Sequence, residues 1–370
     1  MIVGILQELK AEENRVSMTP DGVEVMRQHG HTILVQRGAG RGSGFDDEEY
    51  RAHGAEIVAT SADIFAQAEM ILRVKEPQPV EYDLLREGQI YFAYLHLAAS
   101  QDLTNTLMAR RTVNIAYETI QKADGLLPLL IPMSEVAGQM AIQEGAKYLE
   151  MAQGGDGVLL GGVPGVDPGT VLILGGGIVG LNAAKKASGL GANVYVLDIN
   201  LDRLRYLSDI MPKNCFTLMS SPATIRSLLP KADVVVGAVL VPGSRTPTLV
   251  TRDMLKTMKK GAVLIDVSID QGGCFATSRE TTHANPTYTV DEVVHYGVSN
   301  MPGAVPKTST IALTNATLPY VVEIADKGWK RAMRENPDIR HGANVVAGKV
   351  TYQGVAAALD LDYTPIDALF

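Results

Sequence analysis

Short apolar runs alternate with helix-period patterns along most of this chain. Residues 2–6, 32–36, 70–74, 89–95 and 113–117 are apolar or β-branched runs that read as strands. Thr19 and Pro20 supply an N-cap and a first-turn proline for a helix that Gly30 closes. Further helical patterns cover 46–54, 61–68 and 102–111. Near Leu130 the pattern shifts to a long helical stretch, 135–151, with Ser134 as its expected N-cap. Beyond a glycine-rich segment the alternation resumes, with strands at 171–174, 194–197, 215–218, 234–236 and 262–267. Helices are expected between them, including 201–211 and 252–259, and the region to Asn300 is less regular. Residues 308–334 read as one long helix, with a kink expected at Pro319. Strands interleaved with helices predict parallel sheets covered on both faces. The predicted class is α/β: two doubly wound parallel-sheet domains with a cleft between them. Residues 1–130 with 308–370 form one domain, and 131–307 the other.

The most specific local signal is TVLILGGGIVGLNAAKKASGLGANVYVLD, residues 170–198. Gly175, Gly177 and Gly180 stand there in G-x-G-x-x-G register, between a strand signal and a helix signal. This Rossmann-like pattern predicts a tight turn at Gly175, backbone approach to a pyrophosphate at Gly177, and close helix–strand packing at Gly180. The helix start offers N–H groups and its positive dipole end to phosphates. Asp198, ending the next strand, is placed to accept from a ribose 2′-OH and to repel a 2′-phosphate, so NAD is expected rather than NADP. A glycine turn without a ligand is the plainer alternative; the flanking strand, helix and acid favour the dinucleotide.

Composition narrows the field. A length of 370 residues suffices for two cores, and 46% hydrophobic with 20% charged residues fits a globular chain. A net charge of −8 disfavours a nucleic-acid footprint and a polybasic membrane patch. No apolar run reaches the length of a membrane span, and the N-terminus reads as a strand rather than a signal peptide. Cys215 and Cys274 form no C-x-x-C pair, so no metal site is expected and a cytoplasmic location is.

In open parallel sheets, ligands bind beyond the carboxyl ends of the strands. The sequence puts Arg15 in the loop after 2–6, Lys75 directly after 70–74 and His96 at the end of 89–95. Asp270 follows 262–267, and Asn300 lies just past VVHYGVSN's apolar run. An arginine fork suits a substrate carboxylate, a lysine polarises a keto oxygen, and a histidine passes protons near neutral pH. Asp270 can stabilise a developing cation or orient water. Each has a plainer reading: Arg15 as a solvated charge beside Glu12 and Glu13, Lys75 as a surface partner of Glu76, His96 as a structural histidine, Asp270 as a turn aspartate. Their convergence on one predicted edge favours the functional reading. On the cofactor side, Arg203 can lie over an adenine or be an exposed helix charge, and Ser220 can touch the adenosine half or start a turn. Val239 and Leu240 can line the cofactor or pack in the core. Cys274 reads as a buried thiol rather than a nucleophile.

The segments ENRVSMTPDGV, GAGRGSGFDDEEY, VKEPQPVEYDLL, YLHLAAS, PMSEVAGQMA, LGGGIVGLNAAK, GAVLVPGSRTPTLVT, DVSIDQGG, TTHANPTY and NMPGAVPKTSTIALTNATLPY resemble the alanine dehydrogenase family. The resemblance runs in order over essentially the whole chain. It implies reversible NAD-dependent oxidative deamination of L-alanine to pyruvate and ammonium, two α/β domains with the tail returning to the first, and a homohexamer. It implies Arg15 and Lys75 as the substrate-binding pair, His96 as proton donor and acceptor, and Asp270 as a second catalytic residue. Asn300 is expected at the substrate as well as the cofactor. The cofactor contacts it implies are Ser134, Ile178, Asp198, Arg203, Ser220, Val239, Leu240, Val267, Ser268, Ile269, Asp270, Arg279, Val298, Ser299, Asn300 and Met301; nothing local argues for Arg279. Three rivals stand beside this expectation. A transhydrogenase NAD-binding subunit shares the architecture but needs no amino-acid site. A 2-hydroxy-acid dehydrogenase would turn over without ammonium, and a non-catalytic NAD sensor would not turn over at all.

Overall fold

The structure is a computed structural model and describes residues 1–239 and 246–370; the expected cofactor contact Leu240 lies outside the described residues. The chain divides into two compact units, Met1–Met133 with Gly303–Phe370, and Ser134–Pro302.

The first unit opens with β1 (Ile2–Ile5), α1 (Pro20–Gln28), β2 (Thr32–Gln36), α2 (Asp47–Ala52), β3 (Glu56–Val58) and α3 (Ser61–Gln67). It continues with β4 (Met70–Leu72), β5 (Ile90–Ala93), α4 (Gln101–Arg110) and β6 (Val113–Ala116). Thr19 caps α1 by accepting from the Gly22 N–H, and Asp46 and Glu49 form a capping box on α2. β3 escapes the hydrophobic pattern because it is three residues long and carries an exposed glutamate. The strands pair in parallel, with β1 between β2 and β4. Alternate residues of β2 serve opposite faces: Ile33 and Val35 join one core cluster, Leu34 the other.

The second unit is entered through α5 (Ile131–Tyr148). This helix starts a turn earlier than its pattern predicts, because Pro132 is tolerated in a first turn. Ser134 is therefore inside the helix and does not cap it, which corrects the expectation. There follow β7 (Thr170–Leu174), α6 (Ile178–Gly189), β8 (Asn193–Asp198), α7 (Leu201–Ile210), β9 (Cys215–Met219) and α8 (Pro222–Leu228). The unit closes with β10 (Val234–Gly237), α9 (Arg252–Leu255), β11 (Val263–Asp266), β12 (Thr287–Val290) and β13 (Val293–Tyr296). Among the described residues these strands form a seven-stranded sheet in the order β12-β13-β11-β10-β7-β8-β9. It is parallel except where β12 turns back antiparallel on β13.

The chain then adds α10 (Pro306–Glu335), α11 (Pro337–His341), β14 (Ala343–Val346), β15 (Lys349–Val350) and α12 (Gln353–Leu359) to the first unit. β14 pairs antiparallel with β6, extending that sheet to eight strands, β15-β14-β6-β5-β4-β1-β2-β3. Helical angles in α10 persist through Pro319 and break at Gly328 (φ 71, ψ 153), where glycine bears the conformation at little steric cost. The non-helical residue inside α10 is thus Gly328, nine residues past Pro319. Leu313, Val321 and Ile324 of α10 pack into the same core as Val3, Ile5 and Val35. Both sheets are α/β and parallel-dominated, as the alternation predicts, with antiparallel strands at their edges.

Candidate active site

β7 has β8 on one side and β10 on the other, so strand order reverses at its carboxyl end, where an open α/β sheet forms its crevice. The three glycines there meet different demands. Gly175 has φ +104, and a Cβ would lie 2.5 Å from the Ala238 carbonyl oxygen. At Gly180 a Cβ would fall 1.9 Å from the Gly175 carbonyl oxygen, because α6 packs directly on the turn. Gly177 differs: a Cβ would meet nothing within 4 Å. Among the described residues the backbone is open at that point, and no side chain caps α6, whose first residue is Ile178. Uncapped N–H groups behind an open glycine fit a dinucleotide's phosphates.

The flanking residues gather at the same edge. Asp198 ends β8, where Oδ2 accepts from the Gly176 N–H at 2.7 Å and Oδ1 from the Asn200 N–H at 2.8 Å. Its carboxylate is thereby fixed beside the turn. Arg203 is not a loose helix charge: Nε donates to the Gly176 carbonyl and Nη2 to the Gly177 carbonyl at 3.2 Å. Its guanidinium also lies 5.0 Å from the Tyr206 ring centroid. Ser220 follows β9 and donates its N–H to the Asp198 carbonyl at 2.9 Å. After β10 and β11, the Ser268 hydroxyl clamps the Val239 backbone, donating to its carbonyl at 2.7 Å and accepting its N–H at 3.1 Å. Val267, Ser268 and Ile269 leave β11, and Val298, Ser299, Asn300 and Met301 follow β13. Val298 and Met301 are buried. Arg279 is exposed, and its guanidinium stacks on Tyr288 at 4.2 Å. Asp270 is exposed in a one-turn helix, Ile269–Gln271. Asn300 takes a left-handed conformation (φ 56), with its carbonyl 3.2 Å from His283 Nε2. Cys274 is fully buried, and burial pushes its thiol well above the usual range, so it is no nucleophile.

The other unit has its own reversal, at β1, which lies between β2 and β4. Arg15 sits in the loop after β1 and is only 2% exposed, so it is not a solvated charge. Glu13 holds it in a fork, with Nε–Oε1 at 2.7 Å and Nη2–Oε2 at 2.5 Å; Nη1 approaches Met133 Sδ at 3.0 Å. The returning α10 braces this loop, because Thr310 Oγ1 accepts the Val16 N–H at 3.1 Å. Lys75 lies three residues past β4 and is half-buried; burial, reinforced by the Arg15 charge, lowers its pKa. His96 lies three residues past β5 in a left-handed conformation (φ 50), with its side chain exposed. Glu118, just past β6, secures that conformation by accepting the His96 N–H at 2.7 Å and the Leu95 N–H at 3.1 Å. Since β5, β4 and β1 are neighbours, His96, Lys75 and Arg15 lie in the segments that follow three adjacent strands. A cavity of about 430 Å³ opens beside Arg15, lined by Glu8, Glu13, Arg15, Arg37 and Arg41 among others. Glu8, Glu13 and Glu118 were not singled out by the sequence. Only Glu13, two residues before Arg15, carries a local signal.

Comparison with known proteins bears on both units. A family model described as "Alanine dehydrogenase/PNT, C-terminal domain" matches residues 141–353, and "Alanine dehydrogenase/PNT, N-terminal domain" matches residues 4–137. A curated alanine dehydrogenase from Methanococcus maripaludis is 55% identical over 368 residues, covering 99% of each chain. A solved L-alanine dehydrogenase superposes with a TM-score of 0.95 at 48% identity, covering 97% of this chain and 99% of that one. A transhydrogenase structure from Sinorhizobium meliloti (TM-score 0.83, 22% identity, 95% and 99% covered) shares the fold. Matched along essentially its whole length, this chain belongs to the alanine dehydrogenase/PNT family.

Proposed function

We propose that this chain is an alanine dehydrogenase, catalysing the reversible NAD-dependent oxidative deamination of L-alanine to pyruvate and ammonium. The observation that carries the reading is the buried Arg15 beside a Lys75 whose pKa burial lowers. A buried, permanently charged fork next to a lysine primed to give up its proton suits a small keto acid, and a second nucleotide would not need it. When bound, NAD supplies the hydride acceptor for the substrate Cα; Gly175, Gly177, Gly180, Ile178, Asp198, Arg203, Ser220, Val239 and Ser268 would hold it.

Arg15 binds the substrate carboxylate. Lys75 polarises the pyruvate carbonyl in the reductive direction, and its lowered pKa eases proton donation to that oxygen. His96 takes and returns protons as water adds to the iminium and the carbinolamine collapses. Its left-handed backbone, held by Glu118, fixes the direction in which the imidazole leaves the strand. Asp270 stabilises the cationic intermediates, and Asn300 orients the substrate. The substrate unit is 1–133 with 303–370 and the NAD unit 134–302. The resemblance to alanine dehydrogenases supports a homohexamer, and the two cysteines with no C-x-x-C pair support a cytoplasmic location. Among the described residues no helix is long and apolar enough to cross a membrane. Purified protein should reduce NAD only when L-alanine is present, and should oxidise NADH with pyruvate only when ammonium is added. Turnover of pyruvate without ammonium would point to a 2-hydroxy-acid dehydrogenase instead.

A further inference from the structure

Glu8 lies in the same loop as Arg15 and takes no part in the chemistry above. It lines the 430 Å³ cavity together with Glu13 and Arg15. Its side chain is 2% exposed. Oε1 accepts the Val74 N–H at 2.7 Å, one residue before Lys75, and lies 3.6 Å from Arg73 Nε. Oε2 is buried with no hydrogen-bond partner among the described residues. An ionised carboxylate oxygen left without a donor in a buried site is costly, and a proton removes the cost.

The groups around Glu8 leave it as the one that can respond. Arg73, at the end of β4, stays charged and donates to Glu81 Oε2 at 2.5 Å. Arg15 stays charged and engages Glu13. Tyr91 of β5 and Tyr117 after β6 both feel the Glu8 charge, and burial holds both hydroxyls protonated. Lys75 lies beyond the Val74 N–H, and Arg37 and Arg41 line the open side of the cavity. Burial, countered in part by Arg73 and the Val74 N–H, raises the Glu8 pKa to about 7. A substrate carboxylate docking on Arg15 and Lys75 adds a negative charge to this cluster, in a medium where charges act strongly on one another.

We propose that Glu8 is a positioning residue for the substrate carboxylate: it takes up a proton from solvent when pyruvate docks on Arg15 and Lys75, and returns it when pyruvate leaves. This rests on the reading of Arg15 and Lys75 as the substrate-binding pair. The proton keeps the buried charge balanced, and Arg15 and Lys75 remain available to the incoming carboxylate rather than to Glu8.

The test is calorimetry of pyruvate binding to the full-length enzyme with NADH and without ammonium, in buffers of different ionisation enthalpy. Near neutral pH the wild type should take up more protons than Glu8→Gln, by a large fraction of one proton. Wild-type affinity should fall as pH rises through the neutral range, by up to about tenfold for each unit that binding shifts Glu8. Glu8→Gln, permanently neutral, should lose most of that dependence and bind more tightly than wild type at alkaline pH. Equal proton uptake in the two proteins, or parallel pH profiles, would overturn the proposal; a merely structural glutamate would weaken binding at every pH alike. Should Glu8→Gln not fold, infrared difference spectra of the wild type decide. Pyruvate binding must add the C=O stretch of a protonated carboxyl, and its absence overturns the proposal. No pyruvate binding by wild type, with no alanine-dependent NADH formation, would overturn the functional reading and this inference together.

Discussion

β7 passes into α6 through three glycines, Gly175–Gly177, whereas β1 reaches α1 through residues 6–19. Both turns stand where strand order reverses in their sheets. The short one is shaped by backbone alone: positive φ at Gly175, a contact at Gly180 too close for any side chain, an opening at Gly177. The long one is shaped by side chains from distant parts of the chain. Glu13 grips Arg15, Glu8 ties down Val74, and Thr310 of α10 takes the Val16 N–H. Equivalent places in two α/β sheets are thus shaped by different physics. Backbone geometry leaves a local sequence mark, and a buried charge cluster leaves almost none.

The contrast can be broken most severely at Gly180. Gly180→Val drives a side chain into the Gly175 carbonyl, and a loss of about 4 kcal/mol or more in unfolding stability, or failure to fold, is expected in urea titrations. In the other unit, His96→Ala should leave the fold and NAD affinity intact while turnover falls by about 10²–10⁴-fold; steady-state kinetics with NAD titration separates the two. Glu8 tests the charge cluster through stability. Its pKa rises from 4.5 unfolded to about 7 folded, so between those values the folded state holds the extra proton and stability falls as pH rises. Glu8→Gln should therefore gain on wild type across this range, by about 3 kcal/mol in all, and keep a constant advantage above it. Thermal melts at about pH 5 and about pH 8 would reveal a flat difference if the idea is wrong. Gly177→Ala sharpens the comparison with Gly180, because a methyl there touches no protein atom. Stability should be nearly unchanged and NAD binding weakened by about 1–3 kcal/mol, a combination fluorescence titration and melting can resolve. Asp198→Asn should have the smallest effect, about 1 kcal/mol in NAD affinity, with a narrower preference over NADP.

The same physics explains what could be read from the chain beforehand. β1, β2, β4 to β11 and the order of the glycine turn follow from apolar periodicity and from glycine's special geometry, both local properties. Ser134 was misplaced because Pro132, which can stop a helix, here begins one. In α10 the residue that leaves helical angles is Gly328, which the helical pattern does not mark, while Pro319, where the missing N–H predicts a kink, keeps them. β14 is as long as β1, yet its place in the sheet depends on α10 and α11 bringing the chain back to pair antiparallel with β6, which no local pattern marks; β15 has only two residues. Arg15 looked solvated beside two glutamates. Its burial depends on Glu13 folding back onto it and on Met133, 118 residues away. The left-handed backbones of His96 and Asn300 are likewise invisible in sequence, since His96 owes its conformation to Glu118.

The most direct test of the whole account is NADH absorbance with purified protein, first with NAD and L-alanine, then with NADH and pyruvate with and without ammonium. The account predicts alanine-dependent formation of NADH and ammonium-dependent oxidation of NADH by pyruvate. Tight NAD binding with neither reaction would contradict it.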